Sequence, residues 1–143
     1  MALKKMMEQT KNKSMKRVTG IGGVFFKCKD PESLKRWYHT HLGIESDQYG
    51  ATFRWTQHPD PAKQGTTVWS PFVEDTKYFN PSEKPFMFNY RVENLVELLK
   101  VLREEGVQVV GEMEDYEYGK FGWIMDPEGN KVELWEPVDS ESK

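Results

Sequence analysis

The chain contains two copies of one structural pattern, and this internal repeat constrains its fold more than any other feature. An alternating segment, a helix-like segment and further alternating segments lie near residues 21–72 and recur about 64 positions later, near 85–136. Alternation gives a strand two different faces. We therefore predict two tandem modules of strand and helix. The site should lie on the sheet face that the helices leave free.

The two predicted helices have well-defined ends. Asp30 suits the N-cap of the first, Pro31 fits its first turn, and Gly43 ends it. Asn94 suits the N-cap of the second, which ends at Gly106. The apolar stripes expected to face the sheet are Leu34, Trp37, Tyr38, His41 and Leu42 in the first helix and Leu95, Leu98, Leu99 and Leu102 in the second.

After each helix the alternation predicts three more strands. These lie near 44–48, 51–57 and 66–71 in the first module and near 107–114, 119–125 and 131–136 in the second. Residues 126–130 have Pro and Gly where a tight turn needs them, whereas the connection over 58–65, with Pro59 and Pro61, predicts a longer and looser loop. The expected fold class is α+β, with two tandem βαβββ modules forming a curled mixed sheet, or cup, and the helices outside.

The 143-residue length predicts one domain, over residues 18–138, with modules at about 18–75 and 84–138. Aromatic residues make up 13% of the chain, which excludes a disordered protein. Residues 1–17 hold six basic side chains and one acidic one, and predict a basic, flexible arm. Residues 139–143 predict a flexible tail.

The rest of the chain is acidic, which disfavours a nucleic-acid partner. No stretch is apolar enough to span a membrane, so a cytoplasmic location without a membrane partner is expected. The single cysteine, Cys28, lies on the helix-facing side of the first strand. It is expected to be a buried, inert thiol.

Five segments carry a resemblance to a known superfamily: WYHTHLGI at 37–44, NYRVENL at 89–95, EEGV at 104–107, YGKFGW at 118–123 and DPEGNKVELWEP at 126–137. Over roughly residues 18–138 the chain resembles the vicinal oxygen chelate superfamily, which includes glyoxalase I, extradiol dioxygenases and bleomycin-resistance proteins. The resemblance implies a cup that holds a small ligand. It also implies a homodimer.

The resemblance further implies four metal-ligand positions. They fall on Gly23, on Trp69 (or Ser70 with a one-residue slip), on Met87 and on Glu133. Divalent ions at such sites need imidazole or carboxylate donors, and only Glu133 supplies one. A divalent metal cofactor is therefore disfavoured, and no other cofactor is indicated.

Other candidate ligands are weaker. His39 and His41 are two apart on a helix, so they point away from each other and cannot share one ion. His58 with Asp60, and Glu74 with Asp75, fall in loops at the rim of the cup, from which they could reach a ligand.

Strand parity predicts the inner faces of the cup. Phe25 is expected there, and the candidate ligand-binding residues are Lys27, Arg54, Trp69, Met87, Asn89, Arg91, Phe121, Trp123 and Trp135. Aromatic walls with a few polar groups are typical of small-ligand pockets. Glu133 is the candidate catalytic residue, as a general base, although a paired arginine would lower its pKa. Lys27, Arg54 and Arg91 could complement an oxyanion.

Three functional hypotheses follow. The first is a protein that binds a small organic molecule, anionic or aromatic, in the cup without the usual family metal. The second is a metal-dependent lyase, isomerase or dioxygenase-type enzyme that acts on a small oxygenated metabolite, with Glu133 central. The third is an accessory dimer with a filled interior. The shortage of metal ligands favours the first.

Overall fold

The structure, a computed structural model, describes residues 16–138, and that part of the chain forms one curled seven-stranded sheet with two helices. In chain order the elements are β1 (Val18–Cys28), α1 (Pro31–Leu42), β2 (Ala51–Gln57), β3 (Asp60–Val73), β4 (Phe86–Val92), α2 (Leu95–Glu104), β5 (Val109–Tyr116), β6 (Gly119–Met125) and β7 (Lys131–Pro137). The strands lie in the order β2-β3-β1-β4-β7-β6-β5. The predicted α+β fold with tandem modules is confirmed.

The two modules meet at β1 and β4, which pair antiparallel in the middle of the sheet. β1 pairs parallel with β3, and β4 pairs parallel with β7, so the last strand of each module returns beside its first. β2 and β6 then extend the two halves as antiparallel neighbours. This arrangement places residues from both modules on one concave face.

The strand predicted near 44–48 is wrong. Among the described residues this segment contributes only an isolated bridge between Asp47 and Gly50. The buried Lys35 ammonium donates to the carbonyl oxygens of Asp47 and Gln48 at 3.0 and 3.4 Å, and the Asp47 carboxylate accepts the Tyr49 N–H at 2.8 Å. These bonds hold the segment as a loop against α1. The first half of the sheet therefore has β2 as its edge strand, whereas the second half has the additional edge strand β5.

The tight turn predicted at residues 126–130 is confirmed, and it joins β6 and β7 as a hairpin. The Asp126 carboxylate accepts the backbone N–H groups of Glu128 and Asn130, both at 2.9 Å. The loose connection predicted over 58–65 is wrong, because β2 turns directly into β3, which begins at Asp60. β1 pairs with β3 only from Val68 onward, so the early part of β3 has a free edge that tolerates Pro61.

Both helices begin at the predicted caps. The Asp30 carboxylate accepts the Ser33 N–H at 3.1 Å, and the Asn94 side chain accepts the Glu97 N–H at 3.2 Å. Gly43 ends α1 in the left-handed conformation, with a φ of 70°. Within residues 16–138, no helix has the length and apolar character needed to cross a membrane.

The helices pack unequally on the convex face. The core beneath α2 comprises Leu95, Leu98, Leu99, Val92 and Leu134. The stripe predicted for α1 is only partly buried, because Trp37 and Leu42 are 52% and 63% exposed. Tyr38 makes the main aromatic contact of α1 with the sheet, edge-on to Trp69 at 4.9 Å.

The predicted flexible arm and tail fall mostly on residues 1–15 and 139–143, which lie outside the described residues. The end of the arm is described. The Arg17 guanidinium donates two hydrogen bonds to the Glu105 carboxylate, at 3.0 and 2.9 Å, just after α2. The residue before β1 is thereby attached to the second module.

Candidate functional site

A cavity of about 420 Å³ lies on the concave face between the two modules. Its apolar walls are Phe25, Val68 and Phe72 from the first module and Phe121 and Trp135 from the second. Tyr49 and Tyr118 also line it and are 73% and 63% exposed, which places them at its rim. Pockets for small organic ligands usually have volumes of about 300–1,000 Å³ and mostly apolar walls. The cavity therefore has the size and character of a small-molecule site.

Three polar side chains of the cavity form one hydrogen-bonded group, which we call the Glu133 cluster: Glu133, Tyr78 and Asn89. Glu133 is only 2% exposed. The Tyr78 hydroxyl donates to Glu133 Oε1 at 2.5 Å, and Asn89 Nδ2 donates to Oε2 at 3.1 Å. Asn89 and Glu133 are neighbours across β4 and β7. The sheet register thus aims a carboxylate and an amide into the same cavity.

Burial dominates the electrostatics of the cluster. It raises the pKa of Glu133, although hydrogen bonds from Tyr78 and Asn89 favour the ionised form and reduce the effect. Burial and the Glu133 carboxylate together raise the pKa of Tyr78, so its hydroxyl stays a donor. Burial also lowers the pKa of the nearby Lys131. Glu133 is therefore better suited to hold or exchange a proton than an exposed carboxyl.

Sequence reasoning missed Tyr78, because it lies in the linker between β3 and β4, outside any strand alternation. The linker folds back over the sheet and buries Phe79 completely, with the ring 5.1 Å from that of Phe72. Lys131 holds the linker in place. Its ammonium donates to the Tyr78 carbonyl at 2.8 Å and lies over the Tyr78 and Trp123 rings. Two adjacent aromatic residues in an otherwise polar linker were the available signal.

Two buried polar atoms of cavity-lining side chains have no hydrogen-bond partner among the described residues. They are Asn89 Oδ1 and Trp135 Nε1. A side chain at position 22 would meet this carbonyl, because a Cβ added to Gly22 would lie 2.2 Å from Asn89 Oδ1. An unpartnered buried acceptor costs free energy that a bound donor would recover.

The four positions that the resemblance assigns to metal ligands do not fit a divalent ion. Phe25 pairs with Ser70 across β1 and β3, as Asn89 pairs with Glu133 across β4 and β7. Ser70, and not Trp69, is therefore the first-module counterpart of Glu133 on the concave face. A side chain at Gly23 would collide with the Phe25 ring, 2.6 Å away, and Met87 is fully buried. No group of three or more His, Cys, Asp or Glu side chains within residues 16–138 could hold a metal ion. Aromatic and apolar groups occupy the space where the donors would converge.

Five candidate ligand-binding residues lie on the cavity or in the core behind it. Asn89, Phe121 and Trp135 line the cavity. Met87 and Trp123 pack with Phe25 and Phe79 in the core behind it. A ligand in the cavity would contact the first three directly, whereas the other two support the wall.

The expected inner-face placement of Trp69 is wrong. Trp69 packs against Phe26 and Tyr38 on the helix side, since a one-residue shift in a strand moves a side chain to the opposite face. Arg54 is exposed on the edge strand β2 and does not line the cavity.

The other two predicted cations lie near the cavity without lining it. The Lys27 ammonium lies 5.6 Å above the Phe79 ring. The Arg91 guanidinium lies 5.6 Å and 5.2 Å from the Trp55 and Trp135 rings and donates to Thr66 Oγ1 at 3.2 Å. Both charges face aromatic rings.

The weaker candidates lie away from the cavity lining. His39 is exposed on α1 and pairs with Glu45 at 3.1 Å. His58 is exposed in the β2–β3 turn, and Glu74 is exposed after β3. Cys28 is half-buried beside α1, and burial raises the pKa of its thiol, which disfavours the reactive thiolate.

Comparison with known proteins identifies the fold. The sequence matches the glyoxalase-like domain family over residues 23–135, whereas no curated protein sequence matches it significantly. A methylmalonyl-CoA epimerase from Mycobacterium tuberculosis is 22% identical, with 86% of this chain and 91% of that chain covered and a TM-score of 0.54. One from Streptomyces coelicolor, in complex with 2-nitronate-propionyl-CoA, is 15% identical, with 85% and 99% covered and a TM-score of 0.63. A glyoxalase/bleomycin resistance protein/dioxygenase superfamily member from Vibrio splendidus 12B01 is 14% identical, with 81% and 97% covered and a TM-score of 0.51. At these identities the likeness shows the fold alone.

Proposed function

The chain belongs to the glyoxalase-like domain family, and we propose that it binds a small organic molecule in the concave cavity without a resident metal ion. One observation carries the proposal: an aromatic cavity of about 420 Å³ contains a single buried carboxylate that two neighbouring side chains orient. Apolar walls supply affinity, and a few placed polar groups supply orientation.

The shortage of metal-ligand side chains at the cavity supports binding without a metal ion. Glu133 is the one strong ligand among the four family positions, and hydrogen bonds from Tyr78 and Asn89 already use one acceptor position on each of its oxygens. The open cavity argues against the hypothesis of a filled interior. The homodimer and the cytoplasmic location stay predictions.

The test uses neutral aromatic probes. Protein treated with a chelator is titrated with benzyl alcohol and with acetophenone, and backbone amide NMR follows binding. We expect saturable shifts centred on Phe25, Ser70 and Glu133. Ser70→Leu should weaken them, because the larger side chain fills the cavity. Trp37→Ala is the matched control, since it removes an exposed aromatic residue on α1.

Two results would contradict the proposal. One is the absence of saturable shifts with either probe. The other is binding that requires a divalent ion to be restored. A melting midpoint that rises with probe concentration would support it independently, because a ligand that binds only the folded state stabilises that state.

Proton transfer on the bound molecule is the second candidate function. The raised pKa of Glu133 supports it, because a carboxyl that titrates closer to neutrality is a better general acid or base. Deuterium exchange into the methyl group of acetophenone, followed by NMR in D₂O, tests it. Exchange above the buffer rate that Glu133→Gln abolishes would support catalysis. Equal exchange with and without protein would exclude it for this probe.

A further inference from the structure

The charge distribution around the cavity points to the class of molecule that it binds. Its lining holds seven aromatic side chains, and Glu133 is its one charged residue among those described. The nearby cations Lys27, Arg91 and Lys131 face aromatic rings and do not line the cavity. An anionic ligand would therefore meet a carboxylate and negative ring faces.

We infer that the cavity binds an organic cation, a substituted ammonium or amidinium group on a flat apolar body, with the charge placed beside Glu133. This inference rests on the proposed function and names its ligand class. A cation over an aromatic ring is attracted by the ring's negative face, and the attraction grows when water is excluded. A carboxylate in the same pocket adds a full opposite charge.

The ring geometry supports a flat body. Phe72 stacks on Tyr78 with a centroid separation of 5.8 Å and an interplanar angle of 7°. Phe121 stacks on Trp135 at 6.0 Å and 5°. The two stacked pairs belong to opposite halves of the cavity, so each half offers a planar surface. Tyr118, exposed at the rim, extends the second surface toward solvent.

Glu133 keeps acceptor capacity for the cation. A carboxylate offers about four acceptor positions, and Tyr78 and Asn89 use two. The unpartnered Asn89 Oδ1 adds an acceptor beside them, which suits a ligand that brings donors.

The charged residues around Glu133 do not cancel the preference of the cavity for a cationic ligand. From β7, Lys131 acts on Glu133 and favours its ionised form, while Glu114 on β5 acts on Lys131 in turn. From β6, Trp123 is the cross-strand neighbour of Glu133 and contributes a neutral indole. The linker contributes the neutral Tyr78 hydroxyl. β4 contributes the neutral Asn89 amide and, farther along the strand, Arg91, whose guanidinium lies over the Trp135 ring. Lys131 thus interacts electrostatically with two carboxylates.

The test compares two probes of the same shape. Phenyltrimethylammonium and tert-butylbenzene differ in charge and hardly in volume, and neither titrates. We expect the cation to bind about tenfold more tightly or better at pH 8, measured by ligand-observed NMR. Its affinity should fall as the pH is lowered through the pKa of Glu133, because protonation removes the charge.

Variants locate the effect. Glu133→Gln should abolish the preference for the cation, whereas Glu112→Gln, which removes an exposed carboxylate on β5, should leave it intact. If Glu133→Gln does not fold, the pH series on the unmodified protein still tests whether the Glu133 charge causes the preference for the cation.

The outcomes separate this inference from the proposed function. Equal affinity for the two probes, or tighter binding of tert-butylbenzene, would overturn the inference and leave small-molecule binding standing. A preference that does not change with pH would also overturn it. Failure of both probes, together with failure of benzyl alcohol and acetophenone, would overturn both conclusions.

Discussion

Replacing Tyr78 by Phe should remove one donor from Glu133 and leave the ring packing in place. The hydroxyl donates to Glu133 Oε1 at 2.5 Å, whereas the stack on Phe72 uses atoms that Phe retains. A hydrogen bond to a charged group contributes about 1.5–3 kcal/mol to stability, and a neutral one about 0.5–1.5 kcal/mol. Tyr78 is 40% exposed, so water replaces part of the lost bond. We expect the free energy of unfolding to fall by about 1.5 kcal/mol where Glu133 is ionised.

The loss should depend on pH, because burial raises the pKa of Glu133 in the folded state above its ordinary value of 4.5. Above that raised pKa the carboxyl is ionised in both states, and the folded state carries the cost of a buried charge, which Tyr78 offsets. Near pH 4 the carboxyl is largely protonated in both states, so that cost disappears and the bond becomes a neutral one. Protonation through the raised pKa therefore favours the folded state. The loss caused by Tyr78→Phe should shrink to about 0.5 kcal/mol near pH 4.

Urea unfolding of both proteins over a pH series from 4 to 9 measures this difference. In thermal unfolding, a loss of about 1.5 kcal/mol corresponds to a fall in melting midpoint of about 3–6 °C for a chain of this size. Tyr116→Phe is the matched control, because the Tyr116 hydroxyl contacts Glu114 on the exposed surface. Its midpoint should not change. A loss for Tyr78→Phe that equals the control, or that is the same across the pH series, would refute the reasoning.

Two further predictions concern the packing of the sheet. Leu99→Ala, in the core beneath α2, should lower the free energy of unfolding by about 2–5 kcal/mol. Leu42→Ala, at a residue that is 63% exposed, should have little effect. Chemical denaturation of both variants measures the two free energies of unfolding. Trp69→Leu should lower the melting midpoint, because it removes the contact with Tyr38, and should leave the affinity for benzyl alcohol unchanged. A large loss of affinity would show that Trp69 contacts the ligand after all.

Local signals made much of the fold predictable. The caps at Asp30 and Asn94 and the turn at Asp126 depend on hydrogen bonds between residues close in sequence, so the pattern alone indicates them. The same locality explains why residues 44–48 were assigned wrongly. Their loop conformation depends on Lys35, which lies on a different element and donates to their carbonyl groups.

The site was predictable where the strand register is unambiguous. Asn89 and Glu133 lie on short strands whose alternation fixes their face, and both reach the cavity. Trp69 was misplaced because the position carried over from the repeat is off by one residue in β3, and a one-residue shift reverses the face. Tyr78 could not be derived from periodicity, since its position depends on how the linker folds back.

The linker breaks the symmetry of the duplication. Tyr78 and Phe79 have no counterpart in either repeat, yet one binds the central carboxylate and the other closes the interior. A cut in this segment could leave both half-sheets paired and still separate the carboxylate from its donor. Two modules expressed as separate chains would therefore be expected to reconstitute the architecture more readily than the binding chemistry.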